Sequence, residues 1–103
     1  MQFEVFPNPI VRARRVFPYV AVLQSNIADT NRDRVVAPLS AEPDALRMAK
    51  RLIPKVRVQG ADFALVVPSL ASVPADSLQG SVGSIARHRD AVTAALDYLF
   101  QGI

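Results

Sequence analysis

Hydrophobic and polar positions alternate in short runs along most of the chain, and prolines or polar turns interrupt the runs. Alternation of this kind puts one face of a strand against a core and is typical of β-structure. The third run should end at Pro38, because proline has no backbone N–H to give to a sheet. The pattern predicts strands at residues 2–6, 16–24, 34–39, 56–58, 63–67 and 70–73.

Proline, glycine and small polar residues mark the connections between these strands. Residues 7–15 contain Pro7 and Pro9 and are predicted to be a basic loop or edge element. Residues 59–61 include Gly60 and indicate a hairpin turn. Residues 74–78 begin with proline, which favours a short helical turn.

The last part of the chain follows a helical period instead. Ser84 is a candidate cap for a helix that runs to about Phe100. Apolar residues at three- and four-residue steps give that helix one buried face, which Ala91 and Ala95 widen. The members of this face are Ile85, Val92, Leu96 and Leu99. Strands followed by one C-terminal helix predict a mainly β fold, a small antiparallel sheet or barrel closed by a helix.

Residues 40–53 fit two structures. Ser40, Glu42 and Asp44 precede a run that resembles the start of a helix, with acids near its N-terminus. A basic hairpin is the alternative, and propensity alone does not separate the two.

Length and composition narrow the classes of protein. The chain has 103 residues, no cysteine and one histidine. This length suits a single domain over residues 1–103. Disulfides, thiolate metal sites and a cysteine nucleophile are excluded, and no metal or cofactor is expected. No apolar run is long enough to span a membrane and the start lacks a signal-peptide pattern, so we expect a cytoplasmic protein without membrane contact.

Charge is distributed unevenly. Residues 1–58 hold ten Lys/Arg against five Asp/Glu, whereas residues 59–103 hold two against four. One basic cluster lies at residues 12–15 and the other at residues 47–57. Such clusters attract phosphate or an acidic partner, although ordinary solvated surface also carries them.

Catalytic chemistry has few candidates. His88 falls on the apolar face of the predicted helix, where a general acid or base and a core histidine bonded to backbone are both possible; we favour the second. The sequence has no nucleophile elbow around its serines and no glycine-rich phosphate loop. An enzyme is therefore not expected. The apolar residues Phe100 and Ile103 at the end of the chain indicate an interaction surface instead.

Five blocks of the sequence resemble the CcdB family of toxins from bacterial toxin–antitoxin modules. The blocks occur in the family's order and at nearly its spacing over almost the whole chain. They are residues 1–5 (MQFEV), 23–30 (LQSNIADT), 35–39 (VVAPL), 71–74 (ASVP) and 99–103 (LFQGI).

The resemblance implies an SH3-like β-barrel (the CcdB/Kid-type toxin fold) with a small three-stranded wing and a C-terminal α-helix. It also implies a non-enzymatic homodimer that inhibits DNA gyrase by trapping the gyrase A subunit on cleaved DNA. A cognate antitoxin would neutralise the toxin with a disordered tail. The toxin–antitoxin complex would repress the shared promoter, so DNA would be bound only through that complex.

The resemblance also assigns residues to the gyrase-binding surface. They are Ser25, Asn26, Ile27, Ala28, Asp97, Phe100, Gln101, Gly102 and Ile103. The family's best-known plasmid-borne toxin has tryptophan, asparagine and isoleucine where this chain has Gln101, Asp97 and Ala28. Antitoxin-facing regions correspond to residues 7–15 and 40–52, and both are basic here.

Two other functions fit the same fold. One is an mRNA-cleaving toxin, for which His88 with Arg87 and Arg89 is the candidate cluster. The other is a non-toxic homologue that binds antitoxin as a decoy.

Overall fold

Seven strands form one antiparallel sheet in the part of the chain that the computed structural model describes, residues 2–25 and 32–102. Their order across the sheet is β4-β5-β3-β2-β1-β7, and β6 pairs with β3 beside this path. The strands are β1 (Glu4–Pro7), β2 (Tyr19–Val22), β3 (Asp33–Ser40), β4 (Lys55–Val58), β5 (Ala61–Leu65), β6 (Ala71–Pro74) and β7 (Gly83–Ser84).

The sheet branches along β3. The first half of β3 pairs with β6, and its last two residues, Leu39 and Ser40, pair with β5. The β4–β5 hairpin then adds β4, so that the end of β3, β5 and β4 form a three-stranded branch. This branch has the strand number of the small wing that the family resemblance implies.

Pro38 does not end the third strand, and that expectation was wrong. The strand continues through Pro38 to Ser40, and Pro38 lies opposite Val20 of β2. The Pro38 carbonyl accepts from the Val66 N–H at 2.9 Å, on the side away from β2. The missing N–H faces that same side, in the fork between β6 and β5, where no sheet hydrogen bond is lost.

Two predicted strands are shorter than expected. The first begins at Glu4, because Phe3 has a φ of +70° and breaks the extended backbone. The second covers Tyr19–Val22 rather than residues 16–24, since Val16 and Phe17 bond back to Ala13 in a turn. The strand predicted at residues 63–67 keeps its length but is shifted: it spans Ala61–Leu65 and is followed by a 3-10 turn at Val67–Ser69.

The C-terminal helix, α2, spans Arg89–Gln101 and covers one face of the sheet. Val92 and Ala95 are fully buried against the core, and Leu96 and Leu99 pack on it in part. Ala91 is exposed, so its predicted place on the buried face was wrong. Ser84 was also misplaced as the helix cap: it lies in β7, and its hydroxyl accepts from the Ala86 N–H at 3.0 Å.

Of the two structures predicted for residues 40–53, the helix is the one that forms. A five-residue helix, α1, spans Pro43–Arg47 and begins with the proline at its first position. Ser40 accepts from the Glu42 N–H through its hydroxyl, and Asp44 lies in the first turn of α1. The basic hairpin is thus ruled out for this segment.

The core confirms the predicted fold class. Burial alternates along β4, where Val56 and Val58 are buried beside exposed Lys55 and Arg57. Those valines belong to the same cluster as Val92 and Ala95 of α2. The described chain is therefore mainly β, with a nearly closed barrel-like sheet and one long C-terminal helix. Among residues 2–25 and 32–102, no helix is both long and apolar enough to cross a membrane.

Candidate partner-binding surfaces

Gly102 determines where α2 ends. Its φ of +74° lies in the left-handed region, which glycine adopts without the steric cost that a side chain incurs. Its N–H donates to the Tyr98 carbonyl at 3.0 Å and satisfies one of the last free carbonyls of the helix. The backbone therefore turns sharply away from the helix axis directly after Gln101.

The last turn of α2 presents one continuous exposed surface. Phe100 is 72% exposed, and Asp97, Gln101 and Gly102 are exposed as well. Asp97 lies three residues before Phe100 and four before Gln101, so its side chain is a neighbour of both on the helix. We refer to Asp97, Phe100, Gln101 and Gly102 as the helix-end surface.

Of the remaining predicted gyrase-binding residues, the structure describes Ser25. Ser25 is exposed and follows β2. The structure thus brings four of the predicted residues together at the end of α2 and places Ser25 on a different element. Asn26, Ile27, Ala28 and Ile103 lie outside the described residues.

Asn8 organises residues 7–15, which we refer to as the basic loop. The side chain of Asn8 is buried; its amide group donates to the Phe17 carbonyl and its oxygen accepts from the Ile10 N–H, both at 3.0 Å. The Asn8 carbonyl accepts from Nε of Arg14 at 2.6 Å. Arg12 and Arg15 stay exposed, as does Val11. These hydrogen bonds fix the conformation of the loop, and its surface is cationic with exposed apolar side chains.

An apolar cleft lies under the basic loop, and sequence reasoning missed it. Its volume is about 180 Å³, and residues of the loop, of β2 and of β3 line it. Ile10, Phe17, Val20 and Val36 form much of the wall. The cleft forms where the basic loop packs over β2 and β3, a contact between distant segments that sequence spacing does not reveal.

The second basic region meets α2. Lys50, Arg51 and Pro54 form one side of a groove of about 380 Å³, and Ala91, Ala94 and Asp97 form the other. The guanidinium carbon of Arg51 lies 4.8 Å from the ring centroid of Tyr98, a cation–π contact. Asp97 lines the groove and also belongs to the helix-end surface. Two small alanines on the exposed side of α2 are the sequence signal for this groove.

His88 is bonded to backbone, as predicted, but it is half-buried rather than part of the core. Its Nε2 accepts from the Arg57 N–H at 3.1 Å. Burial, and then the positive charge of Arg87, lower the pKa of His88 below 6.5. The Arg89 guanidinium lies over the ring of Phe3, 5.6 Å from its centroid. Two members of the candidate cleavage cluster, His88 and Arg89, thus contact different partners, the backbone of Arg57 and the ring of Phe3.

Residues suited to a metal ion do not cluster in the part of the chain that the structure describes. Among residues 2–25 and 32–102, no group of three His, Asp or Glu side chains comes together.

Comparison with known protein families gives one match. The family model described as CcdB protein matches residues 2–102, nearly the whole chain. No curated protein matches the chain.

Proposed function

The chain belongs to the CcdB family of toxins from bacterial toxin–antitoxin modules, and from this membership we propose that it poisons DNA gyrase in the cytoplasm. The toxin traps the gyrase A subunit on cleaved DNA and catalyses no reaction of its own. The gyrase-binding residues are the helix-end surface together with Ser25, Asn26, Ile27, Ala28 and Ile103.

The exposure of Phe100 carries this proposal. A phenylalanine that is 72% exposed leaves a large apolar area in water. Full burial of such a side chain stabilises a complex by about 1.5 to 3 kcal/mol. Gly102 beside it has no side chain to hold a partner away from the backbone. The end of α2 therefore combines an apolar anchor with a site of close approach.

We propose that the toxin acts as a homodimer, as its family does. A chain of 103 residues buries a smaller fraction of its surface than a large domain, which leaves apolar area that pairing can cover. Sedimentation at micromolar concentration should give about twice the 11.2 kDa of one chain. A single species with the mass of one chain would contradict the dimer.

The basic loop and residues 40–58 form the proposed antitoxin surface. Both regions are cationic, and an acidic disordered tail complements them in charge. Asp97 lines the groove between Lys50, Arg51 and α2 and is also part of the helix-end surface, so a tail bound in the groove lies beside that surface. The antitoxin then competes with gyrase, and the toxin–antitoxin complex represses the shared promoter.

The affinity for an acidic antitoxin tail should depend on salt. Raising the salt from about 0.1 M to about 1 M shortens the Debye length from about 10 Å to about 3 Å and should weaken binding markedly. Calorimetry with a synthetic acidic tail measures this dependence. An affinity that stays constant over this range would rule out electrostatic recognition.

A DNA cleavage assay tests gyrase poisoning. Purified gyrase, supercoiled plasmid and the full chain are incubated, and protein-linked linear DNA is measured after denaturation. We expect linear DNA with the full chain and none with a chain that lacks Gly102 and Ile103. The truncated chain should still bind the antitoxin, which shows that it is folded.

Two further measurements separate the alternative functions. The first is binding to gyrase and to the antitoxin: if neither the full chain nor its Gln101→Trp variant binds gyrase while both bind antitoxin, the chain is a decoy. Incubation with total RNA checks the remaining alternative, since cleavage of RNA would overturn the assignment as a gyrase poison.

A further inference from the structure

Strand β4 lies at one edge of the described sheet and has backbone donors without a strand partner. A two-residue turn, Gln59-Gly60, joins β4 to β5, and both turn residues have positive φ. The pair that flanks such a turn, Val58 and Ala61, is hydrogen-bonded across the hairpin. Because successive residues point in opposite directions, the N–H of Arg57 points away from β5.

His88 supplies the acceptor for that N–H. Its Nε2 lies 3.1 Å from the Arg57 nitrogen. His88 directly precedes α2, at the position where a side chain often caps a helix, yet it forms no cap hydrogen bond. The imidazole reaches across to β4 instead. An imidazole nitrogen accepts a hydrogen bond only when it carries no proton, so the contact requires neutral His88.

The segment that contains His88 also joins β4 to the opposite edge of the sheet. The Ile85 N–H donates to the Phe3 carbonyl at 2.9 Å, and Gly83 pairs with Val5 of β1. A Cβ built on Gly83 would lie 3.6 Å from Cγ1 of Val58, which places β7 against the end of β4. Residues 83–88 thus bridge the two edges of the barrel.

We propose that His88 is an acid-sensitive clasp: in its neutral form it holds β4 to the segment before α2, and protonation releases β4. The clasp is a property of the fold and does not depend on the proposed gyrase activity.

The charges around His88 oppose its protonation. Arg57 is held by its own ion pair, 3.4 Å from Asp62, and by the Gly60 carbonyl at 2.9 Å. Burial and Arg87 lower the pKa of His88, and the positive end of the α2 dipole acts in the same direction. The charged groups on the elements that meet at His88 are Arg87, Arg89, Asp90, Asp97, Lys55, Arg57 and Asp62.

The sign of the pH effect follows from linkage. The folded chain has a His88 pKa below 6.5, the value of an unperturbed histidine. Between these two values the unfolded chain binds more protons than the folded chain, so stability rises with pH. The contribution of the clasp is fully present above about pH 6.5 and is lost as the pH falls through the folded pKa.

NMR of the full chain tests the clasp directly, because the chain has a single histidine. The His88 ring and the Arg57 amide proton are followed from about pH 7.5 to about pH 4.5. We expect both signals to shift with one shared midpoint below 6.5. The hydrogen-exchange protection factor of Arg57 should fall at least about fivefold below that midpoint, the effect of losing one hydrogen bond.

The His88→Gln variant is the matched control. The glutamine amide oxygen accepts a hydrogen bond but does not titrate in this range. Its free energy of unfolding should therefore lack the step that the natural chain shows between about pH 6.5 and the His88 midpoint. An Arg57 amide that ignores the titration of His88 would overturn the proposal, and so would equal pH dependence of both chains. The first result needs only the natural chain and stands even if the variant fails to fold.

Discussion

The two ends of α2 differ in what they contact. Near its start, Ile85 and Val92 are fully buried in the main core and His88 bonds to the edge strand β4. At its end, Phe100 is 72% exposed and Gly102 turns the backbone away. The start of α2, with the residues directly before it, thus belongs to the barrel, whereas its end is exposed, and substitutions at the two ends should have separable effects.

The largest expected effect on stability is at the buried end. Ile85 has no exposed surface, so Ile85→Ala removes buried methyl groups and leaves a cavity. We expect a loss of about 2 to 5 kcal/mol in the free energy of unfolding, measured by urea denaturation. Asp97→Ala at the exposed end is the control. It should change stability by less than about 0.5 kcal/mol, because Asp97 is exposed and lies near the negative end of the helix dipole.

Equal losses from both substitutions would break the comparison. That result would mean that the end of α2 is as much a part of the fold as its start. A dimer interface that covers the helix end would be the first explanation to examine, by repeating the denaturation at several protein concentrations.

The substitution Gln101→Trp has the smallest expected effect and tests gyrase binding at the exposed end of α2. Gln101 is exposed on the last turn, beside Phe100. The side chain of glutamine has no ring to stack on a cationic partner, whereas tryptophan does. Gln101→Trp should strengthen binding to a gyrase A fragment by about 1 kcal/mol, a factor of about five in Kd, with little change in stability. Unchanged or weaker binding would show that position 101 is not at the contact.

Local periodicity predicted α2 well because its signal lies within the helix. Val92, Leu96 and Leu99 follow helical steps, and all three contact the core. Ala91 and Ala95 look equivalent in sequence, yet only Ala95 is buried. Which alanine meets the sheet depends on how the helix is rotated against β-strands far away in the chain, and spacing within the helix does not contain that information.

Contacts between distant segments were the part that sequence reasoning missed. Pro38 was expected to end a strand, but the branching of the sheet gives proline a place that needs no donor. The groove between Arg51 and α2 and the cleft under the basic loop arise in the same way. The hydrogen bond of His88 to backbone was predicted, whereas its partner on β4 was not.

The family match covers residues 2–102 and identifies the class of toxin, but the binding residues remain a prediction. The family resemblance assigns Phe100, Gln101 and Gly102 to the gyrase-binding surface, because they lie in a block that resembles the family. Their exposure at one helix end is compatible with that assignment. Ser25 belongs to the same predicted surface through the family alone, and its neighbours at positions 26–28 lie outside the described residues.

The affinity of a gyrase A fragment for Phe100→Ala tests the central claim most directly. Met48→Ala is the matched control, because Met48 is 65% exposed and lies after α1, outside the helix-end surface. Calorimetry should show that Phe100→Ala loses about 2 kcal/mol or more, roughly thirtyfold in Kd, as an anchor residue does, while Met48→Ala binds like the natural chain. Equal affinity of the two variants for gyrase would contradict the assignment of the end of α2 as the binding surface.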